Sequence, residues 1–398
     1  MLQNTGIINE FNKEDFGMAQ KQLQIDDFKS AIYKIRLERT THQLEKSDFS
    51  MLVLNPGPTL DYLTGLFFHL MERPIIGIFT PHQQVTLILP ELEARKIETL
   101  PFPIQPVFYN DDPASWPGAF VRAAEIIKIN GAIIGVEPTR LRFLELCLLE
   151  NAYQNARFIS AEDMISGLRM KKDDQEILAM RKAVEIAQLA LSSTLPFIKA
   201  GITERMLASE LSIQLLRHGS SSEFPFNPIV SAGPNSANPH AIPTDRPLHP
   251  GDSLVIDWGA SNEGYFSDLT RTFAIQFIEP ELMKIAEIVA EANAAGRSVA
   301  KPGIPAKEVD RAARSVIEKA GYGQFFTHRT GHGLGLEGHE APYMHSTSEV
   351  ILEPGMTFTV EPGIYLPGRG GVRIEDDVVI TANGSESLSN LDRNLQIL

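Results

Sequence analysis

The sequence predicts an α/β layer domain followed by an α+β domain, and three observations support this. Its 398 residues exceed what a single hydrophobic core usually organises. Strand-like and helix-like segments alternate along roughly the first 160 residues, as in α/β layer domains. Further along the chain, two pairs of amphipathic helices flank a β-hairpin, and the last third consists of strands and loops. We place the boundary at about residue 170, so the predicted domains are 1–170 and 171–398.

The predicted first domain follows from short apolar runs between amphipathic segments. Residues 1 to about 25 are polar and irregular, and a helical pattern then extends from Asp26 to about Leu44. The predicted strands are Met51–Leu54, Ile75–Phe79, Val85–Leu89, Pro106–Tyr109 and Ala132–Val136, and the predicted helices are Glu91–Leu100, Trp116–Ile129 and Arg140–Asn155. No glycine-rich phosphate-binding loop occurs among them, so a nucleotide site is not indicated.

Composition excludes several classes of function. The net charge of −14 argues against nucleic acid as a partner, because phosphate binding needs a basic surface. No apolar run reaches the length of about 18 residues that would span a membrane, and the N-terminus lacks the features of a signal peptide. The single cysteine, Cys147, lies in an apolar helical stretch and is predicted to be a buried structural thiol. Together these features predict a cytoplasmic protein.

The stretch 255–272 reads as a β-hairpin, with turn-forming residues between two runs of β-forming ones. If the turn centres between Asn262 and Glu263, Asp257 lies directly across from Asp268, with the Cβ atoms about 4.5–5.5 Å apart. Carboxylates that close repel unless a cation lies between them, which predicts a cation site. Two solvated acids on an ordinary hairpin are the alternative.

Three further candidate ligands lie in the last third of the chain. His332 has a glycine on each side within the loop 327–345, and those glycines allow close backbone packing. Glu361 ends a predicted strand that begins near Met356, and Glu375 shares one face of the next strand with Arg373 and Asp377. Each of these side chains taken alone is more often a surface residue than a ligand.

The five candidates together, Asp257, Asp268, His332, Glu361 and Glu375, suit two divalent ions bridged by carboxylates better than one zinc ion. Four carboxylates balance the charge of two divalent cations. A set rich in oxygen, with one nitrogen and no sulfur, favours Mn²⁺ and admits Co²⁺, Fe²⁺ or Zn²⁺.

The combined motifs resemble the pita-bread metallopeptidases, which comprise methionine aminopeptidase, aminopeptidase P and prolidase. The resemblance covers about residues 170–398 and is carried by V-I-D-W-G, F-S-D-L-T-R-T, H-R-T-G-H-G-L-G-L-E-G-H-E, T-V-E-P-G and V-R-I-E-D-D. An α/β domain ahead of this core is similar to the creatinase/prolidase/aminopeptidase P branch. The expected fold is therefore an α+β pita-bread catalytic domain preceded by a creatinase/prolidase-type N-terminal domain.

The resemblance also implies roles for individual residues. Asp257 would bind one ion, Asp268 and Glu375 would bridge both, and His332 with Glu361 would complete the second site. A water activated by the two ions would attack the scissile carbonyl of an Xaa-Pro bond, with Glu361 moving the proton to the leaving nitrogen. The substrate-contacting residues would be His240 and His339, together with Arg373, which would also orient the bridging ligands.

The resemblance leaves substrate length and reaction class open. Strict dipeptidases of this family typically carry an arginine after the H-E-x-P element, where this chain has Tyr343. We therefore expect longer Xaa-Pro peptides to be accepted and dipeptides to be cleaved no better, unless Arg369 or a partner subunit supplies the charge. A strict Xaa-Pro dipeptidase, a creatinase-like C–N hydrolase and a non-catalytic peptide reader are the alternatives, although the last two usually lack metal ligands. The resemblance further implies a homodimer.

Overall fold

The structure is a computed structural model, and it describes residues 31–82, 85–98, 100, 102–129 and 131–398. The chain folds into two compact units divided between Leu168 and Arg169. The polar segment at residues 1–25 and the predicted helix start at Asp26 lie outside the described residues. The described part of that helix, α1, covers residues 31–46.

The first unit is built on a six-stranded mixed sheet. Its strands are β1 Met51–Leu54, β2 Ile76–Phe79, β3 Val85–Pro90, β4 Gln105–Tyr109, β5 Ile133–Val136 and β6 Arg157–Ser160, in the order β4-β3-β2-β1-β5-β6. Strand β1 pairs antiparallel with β2 and parallel with β5. The remaining helices are α2 Pro58–Thr64, α3 Ala94–Ile97, α4 Trp116–Ile127, α5 Phe143–Ala152 and α6 Glu162–Arg169.

The first unit confirms the predicted alternation, with two elements added and two predictions corrected. All five predicted strands are present, with ends shifted by a residue at most, whereas α2 and β6 were not predicted. The predicted helix Glu91–Leu100 is a 3₁₀ turn followed by the single turn α3. The prediction of a buried Cys147 is wrong: the thiol is exposed, because α5 buries Leu148 and Leu149 on another face.

The second unit groups four long helices with antiparallel sheets, as an α+β domain requires. Its helices are α7 Asp174–Thr194, α8 Glu204–Arg217, α9 Pro280–Val299 and α10 Lys307–Lys319. A four-stranded sheet has the order β19-β11-β8-β7, with β7 Ile229–Ala232, β8 Ser253–Trp258, β11 Leu269–Ala274 and β19 Gln396–Ile397. Helix α7 packs on this sheet, and the buried Trp258 indole donates to the Ala187 carbonyl of α7 at 2.9 Å.

A second sheet of five strands completes this unit. It has the order β13-β12-β14-β17-β18, with β12 Gly331–Gly333, β13 Glu340–Met344, β14 Thr357–Val360, β17 Asp376–Ile380 and β18 Ser385–Ser387. Two short ribbons pair β9 Ser261–Asn262 with β10 Tyr265–Phe266 and β15 Gly363–Leu366 with β16 Gly370–Arg373. An isolated bridge between Thr270 and Glu375 connects the beginning of β11 with the link between β16 and β17.

The hairpin is present, but its register differs by two residues from the predicted one. The turn residues are Glu263 and Gly264, both with positive φ (50° and 82°), as in a type I′ turn. Asp257 therefore pairs with Thr270 rather than with Asp268. Because the side-chain period of a strand is two, this shift keeps both aspartates on one face and makes them diagonal neighbours.

The glycine-rich segment predicted as a loop contains the strands β12 and β13. Its glycines permit close approach of neighbouring backbone: a Cβ atom at Gly331 would lie 1.9 Å from the Thr359 carbonyl oxygen. A Cβ atom at Gly333 would lie 2.3 Å from the Ala341 carbonyl oxygen. Any larger residue at either position would push β12 away from its neighbours. Throughout the described ranges, no helix is long and apolar enough to cross a membrane.

Candidate metal centre

The five predicted ligands converge in the second unit, on strands or on residues directly next to strands. Asp257 lies near the end of β8, Asp268 directly precedes β11, and His332 is the central residue of β12. Glu361 directly follows β14, and Glu375 lies between β16 and β17. Their possible ligand atoms form overlapping sets whose members all lie within 4.8 Å of one another: Asp257–Asp268–Glu375, His332–Glu361–Glu375, and Asp268–His332–His339.

Burial and mutual repulsion make this cluster unfavourable for negative charge. Burial, followed by the charges of Glu375 and Asp257, raises the pKa of Asp268 well above its usual range. The pKa of Glu375 is likewise well raised, by burial and then by the charges of Glu361 and Asp257. Burial raises the pKa of Glu361 to about 7, although the charge of Arg373 opposes the shift. A bound cation would reverse this destabilisation.

The oxygen atoms of the cluster fit a divalent cation because two of them are otherwise unsatisfied. Among the described residues, the buried Oδ1 atoms of Asp257 and Asp268 have no hydrogen-bond partner. The remaining oxygens are positioned: Asp257 Oδ2 accepts from Arg373 at 2.5 Å, and Glu375 Oε2 accepts from the Thr270 hydroxyl at 2.7 Å. A buried acceptor without a donor is costly, which indicates that an electropositive group completes the site.

His332 presents a nitrogen lone pair toward the carboxylates. Its Nδ1 lies 3.1 Å from the Gly333 carbonyl, which only accepts, so Nδ1 carries the proton. Nε2 then faces Asp268 Oδ2 at 3.6 Å and Glu361 Oε1 at 3.5 Å. Burial lowers the pKa of His332 well below its usual value, so the imidazole is neutral. Three acceptors that face one another are compatible with a metal ion among them.

A buried hydrogen-bonded chain orients Asp257. Arg373 donates to Asp257 and, through Nη1, to the Tyr365 hydroxyl oxygen at 2.9 Å. His328 Nδ1 lies 2.7 Å from the Arg329 carbonyl and therefore carries a proton, which leaves Nε2 to accept from the Tyr365 hydroxyl at 2.8 Å. Burial raises the pKa of Tyr365 to about 12 and lowers that of His328 to about 4, so both are neutral near pH 7.

The two predicted non-ligand histidines lie beside this cluster. The ring of His339 is stacked 3.7 Å from the ring of His332, at an angle of 35°. His240 is exposed, and its charge acts on the pKa values of Asp257, His328 and His339. Arg373 is buried, with donors to Asp257, Tyr365, Thr270 and the Pro239 carbonyl. Its contacts are those of a positioning residue, and they leave its role in substrate binding a prediction.

The suggested role of Arg369 as a cation for the substrate is not supported by its position. Arg369 forms ion pairs on the surface with Glu279 and Glu281, which already neutralise it. A different arginine, Arg329, lies beside the candidate metal centre. Arg329 Nη2 is 3.3 Å from His339 Nδ1, and its guanidinium stacks over the Tyr343 ring at 4.5 Å from the ring centroid.

The sequence did not reveal the supporting roles of four residues. His328 stands in the same motif as His332 but was not considered, and its spacing of four residues could have drawn attention to it. Thr270 and Tyr365 carry no recognisable signal, because their partners come from distant segments. Asp377 accepts the Asp268 backbone N–H at 3.0 Å and thereby fixes that ligand.

Comparisons with known proteins agree with the geometry. Residues 178–382 match metallopeptidase family M24, and residues 36–171 match the creatinase/prolidase N-terminal domain. The chain belongs to metallopeptidase family M24. It is 34% identical to a Xaa-Pro dipeptidase of Pyrococcus horikoshii over 366 residues, which cover 90% of this chain and 98% of that protein.

Solved M24 structures share the fold over almost the whole chain. A prolidase from Thermococcus sibiricus superposes with a TM-score of 0.88 at 35% identity, covering 92% of this chain and 99% of that one. An X-Pro aminopeptidase from Thermotoga maritima superposes with a TM-score of 0.80 at 30% identity, covering 91% and 99%. The chain is therefore a pita-bread metallopeptidase with a creatinase-type N-terminal domain, and its relatives include proteins named Xaa-Pro dipeptidase and X-Pro aminopeptidase.

Proposed function

We propose that this M24 protein hydrolyses the Xaa-Pro bond at the N-terminus of peptides, using two divalent metal ions per chain. The main observation behind this proposal is that four carboxylates and one neutral imidazole converge, with free acceptor atoms that face one another. The names of its relatives, Xaa-Pro dipeptidase, prolidase and X-Pro aminopeptidase, support proline-containing peptides as substrates. A strict Xaa-Pro dipeptidase is the second candidate, favoured by the relatives named for dipeptides.

The metal ions, when bound, would supply Lewis acidity and an activated water. Asp257, Asp268, His332, Glu361 and Glu375 would hold them, with Arg373 and Thr270 fixing the orientation of two carboxylates. We assign Mn²⁺ as the preferred ion, because the set is rich in oxygen, and Co²⁺, Fe²⁺ or Zn²⁺ as possible substitutes.

Around the metal ions, three residues would act on the substrate itself. Glu361 would carry a proton to the leaving nitrogen, since this role requires a carboxylate beside the attacking water. His240 and His339 would contact the scissile amide and the developing oxyanion, which places imidazole donors where negative charge forms.

The decisive experiment combines metal analysis with a substrate panel. Protein purified without chelator should contain two divalent ions per chain, and chelation should abolish turnover. Xaa-Pro dipeptides, Xaa-Pro tripeptides and creatine would then be compared by kcat/KM. Metal-loaded protein that cleaves creatine but no Xaa-Pro substrate would replace the proposal with the C–N hydrolase alternative, and metal-free protein without activity would favour the peptide reader.

We extend the proposal to organisation. Residues 171–398 would be the catalytic domain and residues 1–170 an accessory domain. A homodimer is supported by large apolar side chains exposed on the first unit: Phe67, Met71 and Phe143 are 47%, 51% and 79% exposed. Light scattering of the purified protein would test the dimer. The cytoplasmic location predicted from the single cysteine stays a prediction, and microscopy of a tagged chain would test it.

A further inference from the structure

We propose that Arg329 binds the C-terminal carboxylate of Xaa-Pro dipeptides and thereby determines substrate length. The inference rests on the proposed Xaa-Pro hydrolysis and assigns a specificity residue to it. It starts from one observation: no carboxylate of the described residues lies within 4.0 Å of the Arg329 guanidinium. A partly exposed cation without an anionic partner, close to a site for a small zwitterionic substrate, is suited to the anionic end of that substrate.

The other cations near this site are already neutralised. Arg373 is buried and binds Asp257. Lys172 is buried against Glu340, with 2.5 Å between Nζ and Oε1, and Arg169 forms ion pairs with Glu337 and Glu340. Each of these side chains would have to break an ion pair in order to bind a substrate. Arg329 would exchange only a contact with a neutral histidine.

The position of Arg329 suits the length of a dipeptide. Its Nη2 atom contacts His339, whose ring is stacked 3.7 Å from the ring of the candidate metal ligand His332. The His339 side chain therefore lies between the Arg329 guanidinium and the candidate metal ligand His332. The carboxylate of a proline after the scissile bond lies about 3.8 Å, one residue length, from the reacting carbon. The carboxylate of a longer peptide would lie farther from the guanidinium.

The base of the Arg329 side chain is rigidly held, so the guanidinium starts from a defined position. On one side, the His328 carbonyl accepts from Arg314 Nη2 at 2.8 Å. On the other, the Thr330 hydroxyl donates to the fully buried Asp310 at 2.8 Å. The guanidinium itself stacks on Tyr343, which limits its rotamers without consuming its charge. Preorganisation of this kind reduces the entropy lost on binding.

This inference reverses the expectation drawn from Tyr343 alone. At its position in the sequence, Tyr343 offers only a hydroxyl. In the folded chain its ring stacks against the guanidinium of Arg329, which lies in the segment before β12. The tyrosine and Arg329 together would supply the recognition that neither provides separately.

The test compares Arg329→Met with wild type on three substrates: an Xaa-Pro dipeptide, the same dipeptide with a C-terminal amide, and an Xaa-Pro tripeptide. We expect kcat/KM for the free dipeptide to fall by about 10–100-fold, the loss typical of one charge-assisted pair, mainly through KM. The amide and the tripeptide should change by less than about threefold. Arg329→Lys should retain part of the preference, and Arg369→Met, whose cation is neutralised on the surface, is the matched control and should match wild type.

Equal losses on the free dipeptide and its amide would overturn the inference, because Arg329 would then act through His339 or through metal binding. Unchanged kinetics on all three substrates would overturn it as well. A binding measurement separates this inference from the proposed function. Calorimetry on manganese-loaded protein should show tighter binding of L-proline than of L-prolinamide, and Arg329→Met should remove the difference. If wild type binds L-proline more tightly than L-prolinamide but does not cleave Xaa-Pro substrates, the proposed function alone is wrong. If wild type binds the two ligands equally, the inference is wrong.

Discussion

The carboxylates of Glu375 and Asp376 are adjacent in sequence and equally buried, yet they lie in opposite electrostatic environments. Asp376 accepts from Arg271 at 2.8 Å and from Arg393 at 2.7 Å, and both oxygens are used. Although burial alone would raise its pKa, these arginines and Ser389 lower it below the usual value. Glu375 faces other carboxylates, and its pKa is raised well above its usual value.

The difference distinguishes an ion network that stabilises the fold from one prepared for a ligand. The Asp376 network is complete within the chain, because its cations come from β11 and from the C-terminal segment. Among the described residues, no arginine or lysine forms a hydrogen bond with the side-chain carboxylate of Glu375 or Asp268, and Arg373 donates to Asp257 within this cluster. A buried cluster left incomplete by its own chain indicates an exogenous cation.

The largest effect is expected for Asp268→Asn. The substitution removes a bridging charge, so the variant should lose metal and at least about 10⁴-fold in turnover. Its metal-free form should be no less stable than metal-free wild type, because removing a carboxylate relieves repulsion. Metal content and thermal unfolding would be measured together. Full activity with two ions per chain would contradict the ligand assignment.

The complementary change, Asp376→Asn, should unfold the protein more easily. It leaves the buried Arg271 without its carboxylate, and breaking a buried pair costs about 3–5 kcal/mol. Denaturant unfolding of the metal-free proteins would measure the change, with Asp268→Asn as the matched control. If the two variants lose equal stability, the proposed distinction between the two networks is wrong.

An intermediate effect is expected for His339→Ala. If His339 donates to the oxyanion and is not a ligand, the variant should bind metal normally and lose about 10²–10³-fold in kcat. The geometry admits the alternative, because Asp268, His332 and His339 also form a possible ligand set. Metal titration of the variant decides between them: a collapse of affinity would make His339 a ligand.

The smallest expected effect is a pH dependence of the folding stability of the metal-free protein. Glu361 has a folded pKa of about 7, against about 4.3 in an unfolded chain. Between these values the folded state holds a proton that the unfolded chain has released, so stability should decrease as pH rises toward and through about 7, by at most about 1.4 kcal/mol per pH unit for each proton. The contribution of Glu361 should be exhausted by about pH 8.

Measured between about pH 6.5 and 8, the decrease in stability is separated from two opposing contributions. The neutral buried His328 and His332 weaken the fold only below about pH 6.5, where unfolded histidines gain protons. The Asp376 network loses its contribution only below about pH 4, where its unfolded carboxyl is protonated. Manganese should abolish the slope, because the cations replace the protons. A slope that persists in the loaded protein would place its origin outside this cluster.

Local patterns were sufficient for much of the architecture. Apolar runs such as Met51–Leu54 and Val85–Leu89 predicted buried strands to within one residue, because burial on both faces demands continuous apolar sequence. The ligand residues could be predicted from their motifs, because acidic side chains inside apolar strands destabilise the fold and are rarely found there without a function. Weak local signals failed: α3 is a single turn, and α2 was missed because seven residues offer little periodicity.

The sequence by itself determined which residue types carry the chemistry: four acids, one imidazole and two further histidines at motif spacing. The tertiary structure decided the rest. It set the hairpin register through the positive φ angles of Glu263 and Gly264, and it paired Arg369 with surface glutamates while leaving Arg329 beside His339. These outcomes depend on which distant segments come into contact. The spacing of residues along the chain does not reveal which side chain lies opposite another across a sheet.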